Sequence, residues 1–152
     1  MDDKLTEEVL QNFASKDDDI YRAIYVCGRE WKVEQFLEKA ELFCTQRTPG
    51  LSVRRLDGEN FQQKLVYSVM ANNQMLFYEW LRSADVLIFG DLDKIQRFEE
   101  TQATFYGLFD YYYEHGKKII IGANVHPFNL DHMMRRVITQ CQGCLILNLD
   151  EE

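Results

Sequence analysis

The chain has 152 residues, 46% hydrophobic, 13% aromatic and 28% charged. That profile fits one globular domain able to bury a core and excludes disordered and fibrous classes. Its net charge is −8, and the first nineteen residues supply much of it by setting seven carboxylates against Lys4 and Lys16; an acidic chain repels a phosphate backbone, so nucleic acid is disfavoured as a partner. Acids stand where a signal peptide needs a basic region, and no apolar run is long enough to span a bilayer, which points to the cytoplasm and away from membranes.

In chain order, residues 1–19 read as a leading helix with Leu5, Val9, Leu10 and Phe13 on one side, then an acidic turn at Asp17 to Asp19. The main domain takes 20–152. Ala23 to Cys27 reads as a strand. Val33, Phe36, Leu37, Ala40, Phe43 and Cys44 then recur at helical spacing among polar residues, until Thr48-Pro49-Gly50 breaks the pattern. Ser52 to Leu56 makes a more polar strand, placed at a sheet edge. Asp57 caps a helix with the stripe Phe61, Leu65 and Val69. Asn72-Asn73 ends it, and a shorter helix through Leu76, Phe77, Trp80 and Leu81 leads to an apolar strand at Asp85 to Phe89. A long helix follows, with Glu99 and Glu100 at its positive end, the stripe Phe98, Phe105, Leu108, Phe109 and Tyr112, and Gly116 as its stop. Ile119 to Ile121 and Cys144 to Leu149 complete five candidate strands. Strands alternating with helices predict an α/β layered domain with a mainly parallel sheet.

Pro49 to Phe61, Ala71-Asn72-Asn73 and Tyr78 to Ile88 resemble the stretch of the bacterial replication initiator DnaA that runs from its second strand to Walker B. Thr101-Gln102, Phe105, Phe109, Tyr113, Gly116 to Ile121 and Pro127 resemble the DnaA helix and sensor 1 strand in order and spacing. The resemblance covers roughly residues 20 to 149, judged by motif order. It implies a three-layer α/β/α base subdomain of the AAA+ (P-loop NTPase) type, with a five-stranded parallel sheet. In the family the chain continues into a helical lid and a helix-turn-helix DNA-binding domain; the sequence stops at Glu152, so neither is expected here.

Against the family pattern, Cys27 to Gln35 falls at the phosphate loop. Gly28 matches its first glycine, but Trp31 and Val33 stand at later glycine positions, Glu34 at the lysine and Gln35 at the threonine. A P-loop needs amides freed by glycine, a cation and a magnesium-ligating hydroxyl, and a carboxylate near a phosphate replaces an attraction of about 4 kcal/mol at intermediate dielectric with a repulsion. Lys32 falls on the helix's polar face and reads as solvated. Gly90 replaces the magnesium-associated acid of Walker B, Asp91 keeps the second acidic position, and Asn124 stands at sensor 1. Asp91 and Asp93 read as loop or cap residues, since phosphoryl transfer needs metal and positioned phosphates together. The arginine-finger register falls on or near Thr139, with Arg135 and Arg136 close. Where DnaA carries basic single-strand contacts, Phe98 and Glu100 stand, with Arg97 nearby.

Cys141-Gln-Gly-Cys144 has the spacing of half a zinc knuckle or a redox motif, but structural zinc takes four ligands. The four cysteines read as packing thiols. His115, His126 and His132 read as helix end, loop and helix surface, and Tyr111 to Tyr113 place at least one ring in solvent. The expectation is a DnaA-like protein without catalysis, metal or cofactor, which engages DnaA or the replication machinery through its fold. Self-association is compatible with it. The alternatives are a nucleotide-binding switch without hydrolysis and a single-stranded-DNA accessory protein.

Overall fold

Four short apolar runs and one more polar run become the strands β1 (Ala23–Cys27), β2 (Val53–Asp57), β3 (Val86–Gly90), β4 (Lys118–Ala123) and β5 (Leu145–Asn148), β2 being the polar one. They lie in one parallel sheet ordered β2-β3-β4-β1-β5, with Ala23 opposite Ile119, Ile24 opposite Leu145, Val53 opposite Val86 and Val86 opposite Lys118. The computed structural model describes residues 3–14, 22–48 and 50–151; the acidic turn at Asp17 to Asp19 lies outside them.

Side-chain alternation along each strand separates two cores. Ile24, Val26, Val86, Ile88 and Ile120 face one side, where α1 (Asp3–Ala14) and α2 (Glu30–Arg47) supply Leu10, Phe13, Phe36, Leu37 and Ala40. Tyr25, Leu87, Phe89, Ile119 and Ile121 face the other. That side is covered by α3 (Gly58–Met70), α4 (Gln74–Arg82), α5 (Glu99–Glu114) and α6 (Arg135–Gln142). The result is a three-layer α/β/α fold with helices on both faces of a wholly parallel sheet. The edge strand β2 is the polar one, as its sequence predicts. α1 packs against α2 within the first core, and Lys118 at the start of β4 donates to the Phe13 carbonyl.

Several stripe residues lie elsewhere than their spacing suggests. In α3, Phe61 and Leu65 are buried, but Ser68 completes the inner stripe and Val69 is exposed. At ~100° per residue, position 68 comes within ~20° of Phe61 while Val69 is ~80° away. Leu5 and Leu76 are exposed, and Phe98 is the exposed N-cap residue of α5 rather than part of its inner face, which Thr101 and Gln102 join instead. Gln102 brackets three segments: its Nε2 donates to the carbonyls of Ile95 (3.0 Å) and His132 (2.9 Å), while its Oε1 accepts from the Met134 amide at 2.7 Å. His132 lies in the loop before α6, with φ of 50°, not on a helix surface; the pull of Gln102 and of the Arg97 amide on its carbonyl holds that loop.

Helix α2 approaches the sheet closely at Gly122 of β4. A β-carbon there would lie 2.9 Å from Val33 Cγ1 and 3.1 Å from Leu37 Cδ1. The missing side chain lets the first turns of α2 lie directly on the sheet. We predict that Gly122→Ala overpacks this contact and lowers stability by about 1–3 kcal/mol, seen as a lower urea midpoint at unchanged slope; an unchanged midpoint would show that α2 has room to move.

Candidate functional site

In a wholly parallel sheet all strand carboxyl ends meet at one edge, where ligands of open α/β folds bind. Here Cys27 aligns with Ala123 and Asn148, and Asp57 with Gly90. The segments beyond them carry the residues singled out in the sequence: Gly28, Asp91 and Asn124. All lie along this edge.

After β1 the chain turns sharply into helix. Gly28 adopts φ of 143°, and Arg29 is the N-cap of α2. The amides of Lys32 and Val33 donate to the Arg29 carbonyl at 3.0 and 3.1 Å. Helix α2 therefore begins at Glu30, inside the stretch Cys27 to Gln35 that the family pattern places at the phosphate loop and ahead of the apolar spacing that starts at Val33. Non-glycine residues fill the turn, and burial of Val33 against the sequence-distant Gly122 anchors it. Two amides that a phosphate-binding loop would present to solvent are bonded within the helix.

The C-terminal segment closes over this turn. Leu149 donates its amide to the Cys27 carbonyl at 2.8 Å, which brings Asp150 beside Gly28. One oxygen of Asp150 accepts the Arg29 amide at 3.3 Å and lies 3.5 Å from Lys32 Nζ, which also donates to the Leu149 carbonyl at 3.5 Å. Lys32 is thus half-buried and paired rather than solvated, because the chain after β5 folds back over it. Asp150 was not singled out by the sequence, since it belongs to no motif. A carboxylate two residues past the last strand of a parallel sheet was the available signal.

Glu34 pairs with Arg55 on β2, and the same guanidinium donates to Glu41 at 3.3 Å. Gln35 is exposed and lines a shallow cleft of about 200 Å³ with Thr6, Trp31, Lys32, Phe36 and Leu149. Gly90 is buried as the last residue of β3, and Leu37 Cδ1 would lie 3.2 Å from a β-carbon there. Asp91 follows in the left-handed region with φ of 51°, and Asp93 accepts the Asn124 amide at 3.1 Å. Burial, then the charges of Asp93, Asp57 and Glu30, push the Asp91 carboxyl above the ordinary carboxylate range, against the pull of Lys94. Among the described residues, no three histidine, cysteine, aspartate or glutamate side chains converge well enough to hold a metal ion.

Other sequence candidates lie apart. The Thr139 hydroxyl donates to the Arg135 carbonyl within α6 at 3.0 Å, while Arg136 stacks over Tyr106 at 4.6 Å. Arg97, Phe98 and Glu100 are exposed at the start of α5. Cys141 and Cys144 are buried, and burial pushes the Cys144 thiol up to about 12 and raises Cys141 as well. Such thiols stay protonated at neutral pH and act as packing groups. Tyr112 is buried and donates to the Leu81 carbonyl at 2.5 Å, whereas Tyr113 is exposed. His115 caps α5, and His126 caps the short turn at Pro127–Asn129.

The family model for the bacterial DnaA ATPase domain matches residues 3–148. The chromosomal replication initiator protein DnaA of Leifsonia xyli subsp. xyli is 28% identical over 101 residues, 66% of this chain and 21% of that protein. A solved structure of DnaA bound to AMPPCP and single-stranded DNA superposes with a TM-score of 0.90 at 23% identity, over 98% of this chain and 46% of that one. The DnaC helicase loader shares the fold with a TM-score of 0.73 at 14% identity, over 95% of this chain and 88% of that one. The chain thus spans about a fifth of the length of the curated relatives it matches.

The crowding of Asp91 has a signed consequence. A carboxyl whose folded pKa lies above its unfolded value binds protons more tightly in the folded state, so its contribution to stability falls as pH rises through that interval. We predict that Asp91→Asn, which also tolerates the left-handed backbone, raises the thermal midpoint at pH 7. The gain shrinks as pH is lowered toward the ordinary carboxylate range. A gain that is constant across pH would remove electrostatic crowding as the cause.

Proposed function

Because this chain belongs to the bacterial DnaA ATPase-domain family, we propose that it is a non-catalytic, DnaA-like module that engages DnaA or another protein of the replication machinery and so modulates initiation. The observation that carries this reading is the helical start of α2. Phosphate binding in this fold depends on amides left open by a glycine-rich loop, a lysine and a metal-binding hydroxyl. Here the Lys32 and Val33 amides are bonded to Arg29, Glu34 and Gln35 replace the lysine and hydroxyl, and Asp150 takes the Arg29 amide and the Lys32 ammonium.

Electrostatics supports the same reading. Glu30, Asp57, Asp91, Asp93 and Asp150 all belong to the edge that a triphosphate would approach, against Arg29, Lys32 and Lys94. A phosphate charge ~4 Å from one of these carboxylates meets a repulsion of about 1 kcal/mol in water and ~4 kcal/mol at a surface-like dielectric. With no route to phosphoryl transfer, what the fold offers is its surface.

We predict that calorimetric titration with ATP or ADP in the presence of Mg²⁺ gives no binding heat at micromolar nucleotide, and that affinity capture from the native host recovers a replication protein. A sub-micromolar nucleotide Kd would establish a switch instead. Capture of no replication protein would end the proposed partnership.

A further inference from the structure

Helix α3 carries two apolar faces. Phe61 and Leu65 enter the core, but Val66, Tyr67, Val69 and Met70 stand outside it, 49%, 72%, 54% and 78% exposed. The C-terminal half of α3, Leu65 to Met70, is apolar on most of its circumference, the pattern of a segment covered on both sides. The outer face of α3 forms one wall of a groove of about 500 Å³; the other wall is the start of α5, where Phe98 is exposed. A second hollow of about 530 Å³, bordered by Glu59, Gln63 and Tyr67, shares Val66 and Met70 with it. The floor is apolar. Its charged rim consists of Glu59, Glu99 and Glu100 against Arg97, all exposed. Glu99 and Glu100 occupy the first turn of α5, at the positive end of the helix dipole.

We propose that this groove docks an amphipathic helix of a partner protein, apolar on the docking face and flanked by lysine or arginine. The proposal rests on the reading of the chain as an interaction module and names its surface. Gln62 to Met70 spans ~12 Å along α3, which matches about two turns of a docked helix, with apolar anchors at i, i+3 or i+4, and i+7. The unbranched Met70 can fit anchors of different shape. The acidic rim selects the sign of the flanking charges. It also weighs against other occupants. A second copy related by a two-fold axis would bring the same carboxylates face to face, and a nucleic-acid backbone would bring phosphates to them.

The test uses the full chain and a fluorescein-labelled helical peptide of about fourteen residues, with leucines on one face and lysines on the other. Binding is followed by anisotropy. The same peptide with glutamate in place of lysine, a labelled oligothymidylate, and sedimentation velocity of the chain alone run beside it. The leucine–lysine peptide is expected to bind, and the Val66→Lys, Met70→Lys double variant to weaken it by about tenfold or more. Glu99→Gln with Glu100→Gln should weaken it less and flatten its salt dependence, and Trp31→Ala should leave it unchanged. In the unsubstituted chain, the Met70 methyl resonance should shift on peptide addition, a readout independent of how the variants fold.

The proposal is overturned by an unmoved Met70 methyl, by equal affinity for the leucine–glutamate peptide, or by undiminished binding in a folded lysine double variant. Oligothymidylate binding lost in that variant, or a dimer that it dissolves, would assign the groove to nucleic acid or to a second copy. If the groove fails while a replication protein is still captured from the host, the interaction reading stands on another surface; if capture fails as well, both fall.

Discussion

The seat of α2 on the sheet sets the character of the molecule. Val33 and Leu37 press onto Gly122 where a β-carbon would leave no room, and the Arg29 carbonyl closes the first turn on the Lys32 and Val33 amides. A phosphate loop needs the opposite arrangement, with backbone N–H groups unpaired within the helix and aimed at an anion. On the non-catalytic reading proposed above, one packed valine couples core stability to the loss of a cradle: opening the loop would withdraw Val33 from the apolar layer formed by α1, α2 and β4.

The carboxyl edge of the sheet extends the same logic. Helix N-termini and lysines attract anions wherever they occur, and this edge retains both at Arg29 and Lys32. The chain meets them with its own anion, Asp150, placed by the Leu149 amide on the Cys27 carbonyl. Around it, burial and then the charges of Asp93, Asp57 and Glu30 make Asp91 hold its proton more tightly than an isolated carboxyl. Glu34, at the family's lysine position, is itself neutralised by Arg55 on the neighbouring strand. Glu59, Glu99 and Glu100 border a separate, more apolar surface, the one proposed above to receive a protein.

Much of the fold was legible because periodicity follows directly from strand and helix geometry. The five strands, the edge position of β2, the cap at Asp57 and the end of α5 before Gly116 all emerge from short apolar runs, their polarity and capping residues. The misses have two causes: small errors of helical angle or boundary, and contact partners distant in sequence that leave no local pattern. Val69 belongs to an apolar stripe by composition but faces outward by angle, and Phe98 lies just outside the helix whose stripe it resembles. Lys32 reads as a polar-face residue until the distant Leu149 and Asp150 arrive over it. Gly28, Gly90, Asp91 and Asn124, singled out by motif, all lie along the carboxyl edge of the sheet, while Cys27 to Gln35, read at the phosphate loop by motif and as helix from Val33 by apolar spacing, is helical from Glu30. The contact that seats Val33 is with Gly122, about ninety residues away.

A crystal structure grown with Mg²⁺ and a non-hydrolysable ATP analogue tests the central claim most directly. The predicted result is an intact α2 from Glu30, with Asp150 still on the Arg29 amide and no phosphate density beside Gly28. Residues 29–33 unwound around an ordered triphosphate, with Asp150 displaced, would contradict it.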